Sequence, residues 1–341
     1  MGKTALVTGG AGFIGVNLTT TLLEKGYKVI VFDSLIRKGS EKNLAWLLRN
    51  FRSPKLTVEK KDVRDFDSVK KAVSKVNVVF HLAAQVAVTS SVTNPRQDFE
   101  VNALGTFNVL ESARLCGHKP MVIYASTNKV YGAMDSIKVG KGETRYSYLD
   151  FPCGISENFP LDFHSPYGCS NGAADQYTRD YQRIFGVPSV VFRQSCIYGP
   201  RQMGMEDQGW VIYFAICGEL GRQITIYGDG KQVRDILYVD DLIDAYLLAV
   251  EKIKKSAGEI YNIGGGAVNS LSLLEYLKIL EAKLGKKVKI GFSDWRPGDQ
   301  KVFISDNSKV EKELGWKIKN PYEKGLNKLL DWVKENKELF A

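Results

Sequence analysis

The chain has 341 residues, and its hydrophobic fraction of 44% and charged fraction of 25% are ordinary for a soluble globular protein. No apolar run approaches the roughly 20 residues that a membrane-spanning helix needs. A predicted strand begins almost at the first residue, so we expect no signal peptide. The formal net charge of +9 comes from lysines scattered over predicted helix faces without a basic-aromatic motif. We therefore expect no nucleic-acid or membrane partner, and a surface that helps to attract an anionic substrate.

Five cysteines and three histidines give no spacing that suggests a metal site. The cysteines also form no pair of the kind found in zinc or redox motifs. We therefore expect that no metal is bound, that the thiols are reduced and that the location is cytoplasmic.

A short apolar run, Ala5–Val7, leads into a glycine-rich turn, Thr8–Gly15, and then into a segment with apolar residues at helical spacing. Strand, glycine turn and helix in this order form the dinucleotide-binding fingerprint. The first glycine allows a tight turn, the second lets the backbone approach a pyrophosphate, and the third lets the helix pack against the strand. Free N–H groups at the helix start would hold the phosphates. The predicted cofactor contacts in this turn are Gly9, Gly12, Phe13, Ile14 and Gly15.

The fingerprint also needs an acidic residue about 20 positions further along. Asp33 stands there and follows a second apolar run, 29–32. Its carboxylate can accept hydrogen bonds from both ribose hydroxyls and would repel a 2′-phosphate, so we predict NAD rather than NADP. Arg37 and Lys38 follow closely and weaken this preference. The alternative for the whole pattern is an ordinary turn between a strand and a helix.

Strand and helix patterns alternate through the first half of the chain. This alternation indicates parallel strands joined by crossover helices, and we predict a Rossmann-type doubly wound parallel α/β sheet. The further predicted strands are 56–58, 76–82, 121–124 and 189–192, and the predicted helices are 41–51, 66–75, 98–116, 167–185 and 324–337.

The second half is rich in glycine and mixed in pattern, which predicts a smaller C-terminal α/β lobe that binds the substrate. We expect residues 1–194 to form the NAD-binding domain and 237–263 to return to it. Residues 195–236 and 264–341 would then form the lobe. The segment 135–160 is long, irregular and rich in Gly, Tyr, Ser and acidic residues, so we predict a lid or substrate loop there.

Further cofactor contacts are expected where the third and fourth strands end. An aspartate after the third strand would lie at the adenine edge, although an ordinary loop aspartate is an equal alternative. Small residues after the fourth strand permit close contact with a cofactor, while His81 is interpreted as a core histidine. The predicted contacts are Asp62, Val63, Leu82, Ala83 and Ala84.

Two motifs indicate the reaction. Thr127 follows the fifth strand, and Tyr167 stands at the start of a helix. A hydroxyl beside a tyrosine suits proton transfer with an alcohol or ketone. The tyrosine would take the proton as hydride leaves the carbon, and the threonine would hold the substrate oxygen.

At these residues the chain resembles the extended short-chain dehydrogenases/reductases, in the group of NAD-dependent nucleotide-sugar epimerases and dehydratases. The motifs that follow the family's order are Thr8–Gly15, Thr127 with Val130–Gly132, Ser165–Tyr167, Val233–Asp235 and Arg296–Asp299. Longer runs resemble its CDP-paratose 2-epimerase (CDP-tyvelose epimerase) branch. These runs are Ser126–Gly132, Glu143–Tyr146, Asp162–Ser170, Asp207–Trp210 and Gly230–Asp235.

The resemblance implies that Tyr167 is the acid/base and that Thr127 orients the reacting hydroxyl. Two arginines match positions that meet the nucleotide diphosphate, where the planar guanidinium binds phosphate oxygens in pairs. Asn102 matches a position that supports the cofactor site. The implied substrate contacts are Gln85, Thr127, Asn128, Arg201, Arg234, Arg296 and Asp299. Relatives pair the helices corresponding to 98–116 and 167–185, so a homodimer is also implied.

Two positions depart from the family pattern. Asn171 stands where the family usually has a lysine that holds the nicotinamide ribose and lowers the tyrosine pKa. We expect Asn171 to remain a catalytic and cofactor-binding position that hydrogen-bonds but supplies no charge. Bringing a tyrosine from its usual pKa near 10 to about 7 requires roughly 4 kcal/mol, and Lys129, His164 or the positive nicotinamide ring could contribute. Cys196 stands where many relatives have asparagine near the substrate phosphates.

The reaction implied by the resemblance is inversion at C2 of CDP-paratose to give CDP-tyvelose, as in the synthesis of lipopolysaccharide O-antigen. A 4,6-dehydratase would need a carboxylic pair after the threonine, and Asn128 and Lys129 offer none. A UDP-sugar 4-epimerase remains the alternative enzyme. An NAD-binding protein with impaired catalysis is the alternative that Asn171 supports.

Overall fold

The computed structural model describes residues 3–296 and 299–340. The strands are β1 (Thr4–Thr8), β2 (Lys28–Asp33), β3 (Leu56–Lys60), β4 (Val78–His81), β5 (Met121–Thr127), β6 (Val139–Lys141), β7 (Tyr146–Tyr148), β8 (Ser189–Gln194), β9 (Cys196–Tyr198), β10 (Ile224–Tyr227), β11 (Val233–Tyr238), β12 (Ile260–Ile263), β13 (Ser270–Ser272), β14 (Ile290–Ser293) and β15 (Val302–Phe303). The helices are α1 (Phe13–Glu24), α2 (Ser40–Asn50), α3 (Phe66–Val73), α4 (Val88–Thr93), α5 (Pro95–Phe99), α6 (Gly105–Leu115), α7 (Ser165–Phe185), α8 (Trp210–Leu220), α9 (Val239–Glu251), α10 (Ile253–Ser256), α11 (Leu273–Leu284), α12 (Ser308–Leu314) and α13 (Tyr322–Glu335).

Seven parallel strands form the central sheet in the order β12-β8-β5-β4-β1-β2-β3. Side chains alternate between its faces, so Val7 packs with α1, α2 and α9 while its neighbour Leu6 packs with α3, α6 and α7. The strand order reverses between β1 and β4, and doubly wound sheets bind ligands at such a switch point. The predicted Rossmann-type doubly wound α/β fold is therefore confirmed.

One predicted helix, 98–116, is divided. The structure has α5, then a single π-helical turn over Glu100–Leu104, and then α6. The wider turn contains Asn102, whose buried side chain bonds to groups on two other segments. An apolar period does not reveal such a turn, because a π-turn adds one residue without changing the residue types on either side.

The smaller lobe is built on β11, which pairs with β9, β13 and β15, and on the parallel pair of β10 and β14. Helices α8, α11 and α13 cover it. Its core includes Tyr198, Val211, Ile212, Phe214, Ile216, Tyr276, Leu280, Leu326 and Leu329. Residues 237–263 supply α9 and β12 to the central sheet. Val310, Leu314 and Trp316, which belong to the segment 264–341, also pack in the core of that sheet. The segment 264–341 is therefore shared between two cores.

The segment 135–160, all of which the structure describes, does not cover the main cavity. It contains the hairpin of β6 and β7 and is fixed to the smaller lobe: the Tyr146 N–H donates to the Lys231 carbonyl, and the Tyr148 hydroxyl donates to the Val302 carbonyl. The structure therefore does not bear out a lid at this position, and the substrate loop stays a prediction.

Among the helices of the described residues, none is both long enough and apolar enough to cross a membrane. Within residues 3–296 and 299–340, no three His, Cys, Asp or Glu side chains are grouped so that they could hold a metal ion.

Candidate active site

A cavity of about 570 Å³ lies at the carboxyl ends of the central strands. This is the switch point of the sheet, and the volume lies in the usual range of ligand pockets. The walls come from the glycine turn after β1, the ends of β2, β4 and β5, and the start of α7. The predicted site residues that line the cavity are Gly9, Gly12, Phe13, Ile14, Gly15, Asp33, Asp62, Val63, Leu82, Ala83, Ala84, Gln85, Thr127, Tyr167, Asn171 and Arg201.

The glycine turn leaves no room for side chains at its two ends. Gly9 has a φ of +67°, and a Cβ there would lie 2.9 Å from the Leu82 carbonyl oxygen. A Cβ on Gly15 would lie 2.1 Å from the Gly9 carbonyl oxygen. Helix α1 begins without a side-chain cap, so its first N–H groups are available to an anion. The turn therefore fits the pyrophosphate of a dinucleotide.

Asp33 is held against the glycine turn. Its Oδ2 accepts from the Ala11 N–H at 2.9 Å, and its Oδ1 accepts from the Leu35 N–H at 2.8 Å. Burial raises the pKa of the carboxyl, and these backbone donors act in the opposite direction. The carboxylate is thereby fixed at the edge of the cavity, where it can accept from ribose hydroxyls.

Asp62 lines the cavity but already has a partner. The Arg64 guanidinium lies 2.8 Å from its carboxylate, and this hydrogen bond lowers the Asp62 pKa. Asn108 donates to the Val63 carbonyl at 2.9 Å and so fixes the turn after β3. Both the adenine-edge role and the ordinary loop role are compatible with this arrangement.

Asn102 is not among the residues that line the cavity, and its role as a cofactor contact stays a prediction. Its Oδ1 accepts from the Gln85 N–H at 2.8 Å, and its Nδ2 donates to the Ser170 hydroxyl at 3.1 Å. The buried amide thus joins the loop after β4 to α7. Asn102 supports the site by holding two of its walls together.

His81 is a core residue, as interpreted from the sequence. Its Nδ1 and Nε2 are hydrogen-bonded to the hydroxyls of Thr8 at 2.7 Å and Thr106 at 3.0 Å. Burial lowers its pKa to about 4. The ring is therefore neutral and fixes the ends of β1 and β4 from inside the domain.

Thr127 and Tyr167 face each other in the cavity. Thr127 is buried, and its hydroxyl oxygen accepts from the Lys129 N–H at 3.2 Å, which fixes the side chain. Burial and the Asp98 carboxylate raise the pKa of the Tyr167 hydroxyl. A hydrogen bond with Thr127 and the Arg37 guanidinium lower it. The net direction is upward, so the protein alone favours the neutral tyrosine.

Asn171 lies one helical turn beyond Tyr167. Among the described residues, no hydrogen bond joins the Asn171 amide to the Tyr167 hydroxyl. Its Nδ2 donates to the Tyr167 carbonyl at 2.9 Å, and its Oδ1 accepts from the Tyr124 hydroxyl at 3.1 Å. The buried amide is therefore used within the wall. The Lys129 amine donates instead to Gln300 at 3.3 Å, and His164 is exposed.

The predicted diphosphate contacts lie outside the lining of the main cavity. Arg234 pairs with Asp299 at 2.6 Å, and Arg296 pairs with Asp207 at 3.1 Å. Pro297 and Gly298 of the same motif lie outside the described residues. Each arginine thus already holds a carboxylate at the position where a substrate phosphate is expected.

Lys129 and Cys196 lie beside Arg234. Burial, together with the charge of Arg234, lowers the pKa of Lys129 to about 8, and Asp299 acts in the opposite direction. Burial raises the pKa of the Cys196 thiol. This corner therefore offers two cationic side chains and a neutral thiol.

The remaining predicted substrate contacts are used differently. The Arg201 guanidinium stacks on Trp46, 3.8 Å from the ring centroid, so its planar face is occupied. Gln85 lines the cavity and donates to Asp98 at 3.0 Å. Asn128 is buried next to Thr127, with its Oδ1 3.4 Å from the Thr127 hydroxyl, and it does not line the cavity.

Several cavity residues were not among the predicted contacts. Met203, Met205 and Gln208 line the cavity from the segment 201–209, and the Arg37 guanidinium donates to the Gln208 amide oxygen across it. The run that includes Gln208 was part of the family resemblance. Neither composition nor periodicity indicated that this segment, rather than 135–160, would cover the cavity.

One family model and several known proteins match nearly the whole of this chain. Residues 6–329 match the model of the family described as GDP-mannose 4,6 dehydratase. CDP-paratose 2-epimerase from Salmonella typhi is 45% identical over 337 residues, 96% of this chain and 98% of that protein. UDP-glucuronic acid 4-epimerase from Bacillus cereus, solved with UDP-glucuronic acid and NAD, has a TM-score of 0.84 at 29% identity and covers 97% and 99% of the two chains. The dTDP-glucose 4,6-dehydratase from Streptomyces venezuelae, solved with NAD, has a TM-score of 0.84 at 31% identity and covers 98% of each chain.

Proposed function

Because the chain belongs to the GDP-mannose 4,6 dehydratase family and is an NAD-dependent nucleotide-sugar epimerase, we propose that it inverts C2 of CDP-paratose to give CDP-tyvelose. The observation that carries transient oxidation of a sugar carbon is the pairing of Thr127 and Tyr167 in a dinucleotide cavity. The residues after Thr127 are Asn128 and Lys129, so the carboxylic pair that dehydration needs is absent there. The identity of the sugar and of the base is supported by the Salmonella typhi relative.

In the proposed reaction Tyr167 takes the proton of the C2 hydroxyl and later returns it to the same oxygen. Thr127 holds that oxygen, since its own side chain is fixed by the Lys129 N–H. The cavity would hold NAD, which would supply a hydride acceptor and donor for C2. The sugar turns between the two transfers, and no net oxidation results.

The proposed cofactor residues follow from the lining of the cavity. The glycine turn would hold the pyrophosphate, and Asp33 would hold a ribose. Arg234 and Arg296 would bind the substrate diphosphate by exchanging Asp299 and Asp207 for phosphate oxygens. Lys129 would add a positive charge beside Arg234.

The proposed assembly is a homodimer formed through α6 and α7. These helices pack together, and Phe99, Tyr177 and Ile184 are each more than half exposed on or near them. Tyr177 and Ile184 are seven residues apart on α7 and so share one helix face, and exposed large apolar side chains favour an interface. We expect sedimentation velocity to give a dimer mass for the wild type and a monomer mass for Ile184→Asp. A wild-type monomer at micromolar concentration would exclude this assembly.

Asn171→Lys is expected to move the rising limb of the pH profile of kcat down by about one unit. The phenolate form of Tyr167 takes the proton, so the rate rises with pH until that group is ionised. A lysine at 171 would lower the Tyr167 pKa, and the rate at neutral pH would rise about tenfold. Asn171→Gln keeps the amide without charge and serves as the control. Superimposable profiles for wild type and Asn171→Lys would contradict this expectation.

The reaction is tested by NMR of the purified protein with CDP-paratose, with UDP-glucose in a parallel sample and no added cofactor. Inversion at C2 of the CDP-sugar alone supports the proposal. Inversion of UDP-glucose at C4 would make the chain a UDP-sugar 4-epimerase. If NAD is released on denaturation but neither sugar reacts, the proposed substrate or the catalytic competence of the site is wrong. The proposed place of this reaction is the cytoplasmic synthesis of an O-antigen sugar donor.

A further inference from the structure

A planar space lies over the ring of Tyr227, the last residue of β10, and the Arg296 guanidinium fills it. The guanidinium lies 3.9 Å from the centroid of the ring. The Tyr227 hydroxyl donates to the Glu206 carboxylate at 3.0 Å, and Arg296 donates to the Glu206 carbonyl at 3.2 Å. Within the described residues, the second carboxylate oxygen of Glu206 accepts no hydrogen bond. This space, with Glu206 at its edge, is called the Tyr227 slot.

The aromatic wall of the slot is held in place by its own backbone. The Tyr227 carbonyl accepts from the Gln232 amide at 2.7 Å, and the Gly228 N–H donates to the Ser293 carbonyl at 2.9 Å. Trp295 is exposed and packs against Gly228, where a Cβ would lie 2.5 Å from the indole. Gly228 therefore brings a second large ring beside Tyr227. Accessible aromatic rings of this kind are surfaces on which nucleobases stack.

The location of the slot relative to the substrate follows from the proposed role of Arg296. This arginine pairs with Asp207 at 3.1 Å, a partner that it would exchange for a phosphate of the substrate. In a nucleotide sugar, the base and the sugar lie on opposite sides of the diphosphate. The base is therefore expected beyond Arg296, away from Tyr167. When Arg296 turns to the diphosphate, the face of Tyr227 that it covers becomes free at this point.

We propose that the Tyr227 slot binds the base of the substrate and that Glu206 selects cytosine. This inference rests on the proposed binding of the diphosphate by Arg296. The base takes the place of the guanidinium over Tyr227, since both groups are planar and both stack on aromatic faces. The Glu206 carboxylate then accepts a hydrogen bond from the 4-amino group of cytosine.

The selection follows from the hydrogen-bonding group at position 4 of the base. Cytosine carries an amino donor there, whereas uracil and thymine carry a carbonyl acceptor. An ionised carboxylate has only acceptor oxygens, so a 4-carbonyl beside Glu206 would face a second acceptor and gain no hydrogen bond. The Glu206 carbonyl, which now accepts from Arg296, adds another acceptor at the same edge. We expect this mismatch to cost about tenfold in affinity.

The test is the affinity of the NAD-loaded protein for CDP and for UDP, measured by isothermal titration calorimetry. Glu206 is exposed, so Glu206→Gln does not disturb packing. Its amide offers both a donor and an acceptor and can pair with either base. Tyr227→Ala removes the stacking ring. The control, Glu311→Gln, removes an exposed acid on α12. Neither nucleotide carries a sugar, so the measurement requires no turnover.

We expect the wild type and Glu311→Gln to bind CDP about tenfold more tightly than UDP. Glu206→Gln should bring the two dissociation constants within about threefold of each other, because the amide no longer rejects a 4-carbonyl. Tyr227→Ala should weaken the binding of both nucleotides about tenfold, because either base stacks on the ring. A uniform loss of binding in Glu206→Gln, with the ratio of the two constants unchanged, would be the result of a merely structural role and would overturn the selection.

Equal affinities of the wild type for CDP and UDP would also overturn the proposal. The outcome is separable from that of the proposed function. If Glu206→Gln abolishes a preference for CDP while no sugar is inverted at C2, the slot stands and the proposed reaction fails. If CDP-paratose is inverted and Glu206→Gln keeps the preference for CDP, the reaction stands and the role of Glu206 fails.

Discussion

Tyr167→Phe is expected to reduce kcat for epimerisation by about 10³-fold while leaving the fold and NAD binding intact. The phenyl ring keeps the packing at the start of α7, but no group remains at that point to take the hydroxyl proton. Thr127 cannot replace it, because a neutral aliphatic hydroxyl is far too weak a base to take up the proton at neutral pH. The measurement is the rate of CDP-sugar inversion at saturating substrate, together with circular dichroism and the NAD dissociation constant.

The matched control is Tyr322→Phe, which removes a phenolic hydroxyl from a helix of the smaller lobe that does not line the cavity. It should retain the wild-type rate. A Tyr167→Phe enzyme with more than a tenth of the wild-type kcat would show that another group carries the proton. The acid/base role of Tyr167 would then have to be abandoned.

Asp175→Ala is expected to lower the free energy of unfolding by about 3–5 kcal/mol. Asp175 on α7 and Arg193 on β8 form a two-point ion pair, with both N–O distances at 2.9 Å. Their side chains are 0% and 2% exposed. Removing the carboxylate leaves a buried guanidinium without its counter-charge, which is the costly case.

The same carboxylate also accepts from the Ser126 hydroxyl at 2.8 Å. Ser126 precedes Thr127, so the network fixes the end of β5 that presents the threonine to the substrate. We therefore expect Asp175→Ala to lower kcat as well as stability. Urea denaturation gives the free energy of unfolding. The control is Asp180→Ala, which removes an exposed acid on the same helix and should change the free energy of unfolding by less than about 0.5 kcal/mol. If Asp175→Ala lowers the free energy of unfolding by less than about 1 kcal/mol, the cost assigned to breaking the Asp175–Arg193 ion pair is contradicted.

The sequence predicts those parts of the fold that local patterns determine. The glycine turn is recognisable because steric limits at Gly9 and Gly15 allow no other residue. Thr127 could be expected in the cavity because it ends a strand of a parallel sheet, and the ends of such strands meet at one edge. Tyr167 could be expected at a helix start because Pro166 precedes it.

Other features depend on contacts between distant segments and could not be predicted from local patterns. Asn102 enters the wall of the site through a π-turn, and its partners are 17 and 68 residues away. The segment 135–160 looks irregular because its strands are short, and its partners are on the smaller lobe. Arg37 meets Gln208 only because two loops 171 residues apart converge over the cavity.

The central claim, inversion at C2 by transient oxidation, is tested most directly with CDP-paratose that carries deuterium at C2. In a single turnover without added NAD, we predict a primary isotope effect on inversion and retention of deuterium at C2 of the product. The label is retained because the same bound cofactor removes and returns it. Inversion with loss of deuterium to solvent, or inversion at a carbon other than C2, would contradict the proposed reaction.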